Sequence, residues 1–184
     1  MEKRRVVITG MGAVTPIGNS VEEFWQAALR GDSGAADITN FDASSHTTKF
    51  ACEVKNFSVE GVIEPKEARR IDDYAQYAMV AAHEAVLDSG IDFEKEDREK
   101  IGVIIGSGIG GIKTFEEETT KLVQQGPRRV SPFFIPQMII DIASGLISIK
   151  YNLKGPNYAT VSACATASHA IGDAFRTVQR GDAD

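Results

Sequence analysis

Apolar positions along the chain switch repeatedly between short continuous runs and a helical period. Arg5–Thr9 (RVVIT) reads as a short buried strand ending in a glycine-rich turn at Gly10 and Gly12. Val21–Arg30 predicts a helix, with Ser20 as N-cap, Glu23 at the capping-box position and Gly31 as terminator. Gly31–Ser58 is irregular apart from a strand expected around Lys49–Val54. Over Lys66–Leu87, Ile71, Tyr74, Ala75, Ala78, Ala82, Ala85 and Val86 fall at helical spacing, and Ser89-Gly90 ends the pattern. Ile101–Ile105 is a second buried strand, leading into the glycine cluster Gly106–Gly111. Lys113–Ser131 reads as loop-rich. A mostly apolar helix is expected over Pro136–Tyr151, with Pro136 at its first position and Gly155-Pro156 as the stop. Tyr158–Val161 is a third strand, followed by Cys164 and a helix to about Arg180 that Gly181 closes. The last residues, Gly181–Asp184, stand where a further strand is expected, so the chain is expected to stop in mid-architecture.

Strands alternating with helices in this order imply an α/β fold with a mainly parallel sheet covered on both faces. With 184 residues, 42% apolar and 25% charged, the chain has the composition of a soluble globular protein. The net charge of −6 argues against nucleic acid as a partner of the whole molecule, though not against local basic patches. The basic opening Met1–Arg5 lacks an apolar h-region, so no signal peptide is expected. The longest apolar stretch, Phe133–Ile149, is broken by Pro136, Gln137, Asp141 and Gly145, and no run approaches the ~20 residues of a membrane span. A cytoplasmic protein with no membrane partner is expected.

Two cysteines, Cys52 and Cys164, stand far apart, and neither has metal-ligand spacing. Cys52 lies in a charged, irregular stretch. Cys164 stands where a strand turns into a helix, among unpaired N–H groups and the positive end of the helix dipole; both favour thiolate over thiol. The same N–H groups suit an oxyanion formed by attack on a thioester carbonyl. Ala163, Ala165 and Ala167 leave room for a substrate to reach the sulfur. A small buried cysteine filling space is the competing account.

Five ordered segments carry a resemblance. VVITGMGAVTPIG, GSGIGG, SPFFIP, KGPN and VSACATA followed by a helix ending in GDAD are together similar to the β-ketoacyl-acyl carrier protein synthases, above all the bacterial type II elongating enzymes. The match runs from about Arg5 to Asp184. It implies a thiolase-like fold, five-layered α/β/α/β/α in the complete enzyme, of which residues 1–184 form the amino-terminal half. It also implies a decarboxylative condensation, in which an acyl group carried on Cys164 is joined to malonyl-acyl carrier protein in fatty-acid elongation.

Further expectations follow from the resemblance. Ile109 would line the acyl pocket and gate chain length, with Phe134 as a second lining residue, from the same chain or from the partner subunit; plain core packing is the alternative for both. Lys66, Arg69, Arg70, Arg128 and Arg129 would dock the acidic acyl carrier protein, where an ordinary solvated face is the alternative. No cofactor is expected beyond the phosphopantetheine that arrives on the carrier protein, and no metal. A homodimer is expected, with the Pro136–Tyr151 helix contributing to its interface. The family's two histidines and lysine come from its second half. His46, His83 and His169 read here as surface or packing residues, His169 pointing about 140° away from Cys164 on the helix. The 184 residues are therefore expected to be inactive alone, as a fragment or one part of a split protein.

Two rivals remain open. One is a non-catalytic thiolase-fold chain that binds acyl groups or pairs with a catalytic partner. The other is a nucleotide-binding oxidoreductase, because Gly106–Gly111 satisfies G-x-G-x-x-G after a strand. Against it, no second strand ends in an acidic residue about 20 positions on, and Glu116, Glu117 and Glu118 would repel a pyrophosphate.

Overall fold

A short parallel strand pair forms the centre of the molecule. The computed structural model describes residues 4–184, so Met1–Lys3 at the basic opening lie outside the described residues. Strand β3 (Val103–Gly106) pairs in parallel with β4 (Asn157–Thr160), in register from Val103 opposite Asn157 to Gly106 opposite Thr160. Among the described residues, seven α-helices precede, separate or follow these strands: α1 (Val21–Arg30), α2 (Pro65–Ala68), α3 (Asp73–Ser89), α4 (Ile112–Gln125), α5 (Phe134–Met138), α6 (Ile142–Tyr151) and α7 (Thr166–Arg180). A separate antiparallel ribbon joins β1 (Ala36–Asp37) to β2 (Phe50–Ala51).

Alternation along β3 explains how both faces are covered. Val103 and Ile105 point into the core with Ala143 and Ile147 of α6 and with Ile63, Ile71, Ala75 and Met79. Ile104 faces Ala174 and Val178 of α7, and Gly106 faces Thr166 at the start of that helix. The pair is therefore sandwiched between α6, backed by α3, and α7. Beyond α7, Asp184 donates its N–H to the Lys100 carbonyl at 2.8 Å, which lays the last residues alongside the approach to β3.

Helix α1 forms as its caps dictate. Ser20 accepts from the Glu23 N–H, Glu23 reaches back to the Asn19 N–H, and Gly31 closes the helix in the left-handed region. Gly90 and Gly181 do the same for α3 and α7.

Four expectations are corrected. Arg5–Thr9 is not a buried strand: Val7 and Ile8 are 59% and 81% exposed, because no described strand pairs with them. The turn that follows is built for close packing on α3. A Cβ on Gly10 would lie 2.2 Å from the Ala85 carbonyl oxygen, and one on Gly12 1.9 Å from that of Ala81. The single helix expected over Lys66–Leu87 is two, α2 and α3, broken where Asp72 turns extended and caps α3 through the Tyr74 N–H. The stretch Lys113–Ser131 is not loop-rich, since it holds most of α4. The Pro136–Tyr151 helix is likewise divided into α5 and α6, with Pro136 inside α5; α6 turns Ala143, Leu146 and Ile147 to the core and leaves Ile149 77% exposed. Among the described residues no helix is long and apolar enough to cross a membrane.

Candidate active site at the carboxyl ends of the parallel strands

In parallel α/β structures the carboxyl ends of neighbouring strands, with the loops that leave them, form the usual reacting crevice. Here those ends are Gly106 and Thr160, held together by pairing and by the Ser107 N–H donating to the Thr160 carbonyl. Cys164 lies four residues beyond β4, exposed in a single 3-10 turn (Ala163–Ala165) that leads into α7. It is a free thiol, as is the exposed Cys52 on the other side of the sequence.

The turn is conformationally unusual. Ala163 has φ of 48°, in the left-handed region that costs an L-residue roughly 1–2 kcal/mol. Neighbouring groups hold it there. The Ser162 N–H donates to Thr166 Oγ1 at 2.7 Å, and the Ala165 N–H to the Ser162 carbonyl at 3.1 Å. The Thr166 N–H donates to the Ala163 carbonyl. Thr166, itself only 4% exposed, accepts at its carbonyl from the Thr160 hydroxyl at 3.2 Å. The turn's own hydrogen bonds use the N–H groups of Ala165 and Thr166 and not that of Cys164. The N–H groups of Ala165 and Thr166 are thereby withdrawn from the set of oxyanion donors expected at the helix start.

Beyond β3, the chain passes Ser107 and Gly108 to Ile109, which is 65% exposed. Ile109, Ile112, Phe115 and Met138–Ile140 line an apolar recess of about 450 Å³. Phe134 stands behind its wall, its ring 6.2 Å from that of Phe115. Of the two sequence candidates for an acyl pocket, Ile109 lines this apolar recess on the loop that leaves β3, while Phe134, in α5, touches only its wall residue Phe115.

The glycine cluster is shaped by packing. A Cβ on Gly110 would lie 2.5 Å from the Met138 carbonyl oxygen, and one on Gly111 2.5 Å from that of Gln137. At the start of α4, the buried Asp72 carboxylate already accepts from the Thr114 N–H at 3.0 Å and the Thr114 hydroxyl at 2.6 Å. A carboxylate thus occupies the place where a dinucleotide would put its pyrophosphate.

The basic residues are exposed and fall in two places. Lys66 lies in α2, while Arg69 caps the end of that short helix and Arg70 follows it. Arg69 therefore sits at a helix end that favours cations, not at a helix start that opposes them. Arg128 and Arg129 form a 3-10 turn after α4, where Arg129 donates to Gln125. Arg70 stacks over the Phe133 ring at 4.8 Å, which brings the first group against the segment entering α5.

None of the three histidines meets the sulfur through a hydrogen bond. His46 sits against Ser45 and Phe41. Nδ1 of His83 is 2.8 Å from the Tyr151 hydroxyl, and burial, then Lys150, hold its pKa below the ordinary value. His169 is engaged with Ser162, its Nδ1 2.5 Å from the hydroxyl. Sequence reading missed this contact and the Thr166 anchor. Their signal is the spacing 162, 166, 169, one face of a helix extended back by one turn.

The family model described as the β-ketoacyl synthase N-terminal domain matches residues 3–184. The 3-oxoacyl-acyl-carrier-protein synthase 2 of Staphylococcus aureus (strain COL) is 54% identical over 183 residues, which is 100% of this chain and 44% of that protein. The chain thus spans less than half the length of the curated relatives it matches. Among solved structures, the ishigamide ketosynthase/chain length factor superposes with a TM-score of 0.91 at 26% identity, covering 100% of this chain and 46% of that one. A type II PKS acyl-carrier protein in complex with its ketosynthase bound to the hexaketide gives a TM-score of 0.85 at 23% identity, over 100% of this chain and 50% of the other. These matches identify the fold as the thiolase-like α/β fold of the ketosynthases.

Proposed function

This chain belongs to the β-ketoacyl synthase family, through that family's N-terminal domain, and from that premise we propose that it supplies the acyl-accepting half of a 3-oxoacyl-acyl carrier protein synthase. The observation that carries the reading is the exposed Cys164 thiol on a turn held in the left-handed region, at the carboxyl ends of a parallel strand pair. The Cys164 thiolate attacks the thioester carbonyl of an acyl-acyl carrier protein. The tetrahedral oxyanion collapses, expelling the carrier's phosphopantetheine thiolate, which takes up a proton. In the second half-reaction malonyl-acyl carrier protein loses CO2. Its carbanion attacks the acyl-cysteine, forming the new C–C bond and releasing Cys164 as thiolate. Decarboxylation is assigned to groups supplied by the remainder of such an enzyme.

Ile109 is read as lining the acyl recess, and Phe134 as supporting its wall through Phe115. Lys66, Arg69, Arg70, Arg128 and Arg129 are read as the landing surface for an acidic carrier protein. A fold neighbour solved in complex with an acyl-carrier protein motivates the choice of partner. Net charge is unfavourable for this pairing, so attraction has to come from the local clusters. A homodimer in the cytoplasm completes the proposal.

The test is the intact mass of the protein before and after incubation with an acyl-acyl carrier protein. One acyl adduct is expected, mapping to Cys164 and lost in Cys164→Ser. An adduct on Cys52, or none, overturns the reading. The alternative is an acyl-binding or partner chain without catalysis, since none of His46, His83 and His169 is hydrogen-bonded to the sulfur to serve as its base. Acyl thioester that binds without ever becoming covalent would select that alternative.

A further inference from the structure

His169 is an exposed side chain on α7, yet its Nδ1 is committed to the Ser162 hydroxyl at 2.5 Å. Ser162 is also tied through its backbone: its N–H goes to Thr166 Oγ1 and its carbonyl accepts from Ala165. Ser162 itself has φ −157° and ψ 46°, outside regular structure, and it immediately precedes the left-handed Ala163. Strained backbone persists only where its surroundings over-determine it. Thr166 is buried and cannot move without disturbing β3 and β4, so its contacts are part of the fold. The Ser162–His169 contact is different. It ties the Ser162 side chain to the exposed face of α7, and burial does not require it.

We propose that Ser162 and His169 are positioning residues for Cys164: their hydrogen bond clamps the strap between β4 and α7 to the first turns of α7, and so keeps Ala163 left-handed and Cys164 raised at the strand ends. This inference rests on the acyl-accepting role of Cys164 set out above. Neither residue touches the reacting atoms. Without the clamp the turn is free to relax from the left-handed conformation, and the fraction of molecules with a correctly posed sulfur falls.

The discriminating variants are Ser162→Ala, His169→Asn and His169→Gln, in a Cys52→Ser background so that one thiol reports. Asn places an amide where Nδ1 stands, whereas Gln places it near Nε2. In the full-length protein, Ser162→Ala and His169→Gln are expected to lower the rate of Cys164 acylation at saturating acyl donor about tenfold, as release of one left-handed residue implies. The half-saturating donor concentration should stay unchanged, and His169→Asn should recover most of the rate. Alkylation of Cys164 by iodoacetamide provides a readout independent of acyl transfer. It should slow severalfold in the same two variants and recover in His169→Asn. Wild-type alkylation rates in Ser162→Ala and His169→Gln overturn the clamp, as does a His169→Asn variant that behaves like His169→Gln. A wild-type protein that takes no acyl group, but whose alkylation follows the expected order, keeps the clamp and rejects the acyl-transfer reading. Since His169 is exposed, its variants fold even if Ser162→Ala does not.

Discussion

Replacing Gly106 by alanine probes whether the end of β3 and the start of α7 are as tightly joined as the geometry requires. An added Cβ would stand 2.8 Å from both Cγ2 and the carbonyl oxygen of Thr166, and 3.0 Å from its carbonyl carbon. Two of those three atoms are backbone, and Thr166 is 4% exposed, so the clash cannot be relieved by swinging a side chain outward. Overpacking of this kind costs about 1–3 kcal/mol. Against it, alanine restricts the unfolded chain and returns about 0.4–1 kcal/mol. The net expectation is a loss of about 0–2.6 kcal/mol, up to roughly 10 °C in Tm for a domain of this size. Gly108 supplies the control two residues on, because a Cβ there meets nothing within 4 Å. Gly108→Ala should therefore hold or slightly raise Tm. Thermal unfolding followed by circular dichroism at one protein concentration compares the two. Cys164 acylation in the same samples should fall in Gly106→Ala, because a displaced Thr166 no longer holds the Ser162 N–H. A Gly106→Ala protein that melts with or above Gly108→Ala refutes the account of the glycine cluster as packing.

Two further outcomes follow from the same geometry. Ile109→Trp should fill part of the apolar recess and shift acylation toward shorter chains, read by competition between acyl donors of different length; an unchanged preference rejects Ile109 as a lining residue. Glu118 is buried, and its hydrogen bond from Lys121, then that from the Ser131 N–H, hold its pKa below the ordinary value of 4.5. Its contribution to stability is therefore complete above 4.5 and is lost as pH falls through the lower folded-state value. The urea-midpoint gap between wild type and Glu118→Gln, wide at pH 7, should narrow with acidification below 4.5, and a constant gap would reject this role.

What was legible in the sequence depended on whether the signal was local. Helix α1 and the ends of α3 and α7 are set by neighbouring residues, Ser20, Glu23, Gly31, Gly90 and Gly181, and each acts as expected. Helix α4 was missed because its pattern is inverted. Its buried positions are Thr114 and Glu118, whereas Phe115, Leu122 and Val123 are exposed, so polarity pointed the wrong way. The break between α2 and α3 was hidden because Ile71, on the kink, is itself a core residue and kept the helical spacing intact. Arg5–Thr9 has a strand's composition, but strand status comes from a hydrogen-bonded neighbour, which composition cannot supply. At the site, the strand-to-helix turn carrying Cys164 was readable from its flanks. The left-handed Ala163 was not, since alanine gives no hint of positive φ.

The pairing of β3 with β4 has a consequence for how the protein comes into being. Its two strands are separated in the sequence by all of α4, α5 and α6, so their contacts have high sequence separation and close only after the intervening chain is collapsed. Parallel pairing of that kind forms late, because the entropy of loop closure must be met before any hydrogen bond compensates. The Cys164 turn hangs from the end of β4 and is fastened to Gly106 through Thr166, so it cannot take its final shape before that step. On the acyl-accepting role proposed for Cys164, competence to accept an acyl group would then be among the last properties a nascent chain acquires, and a partly folded molecule would carry the thiol without the ability to use it.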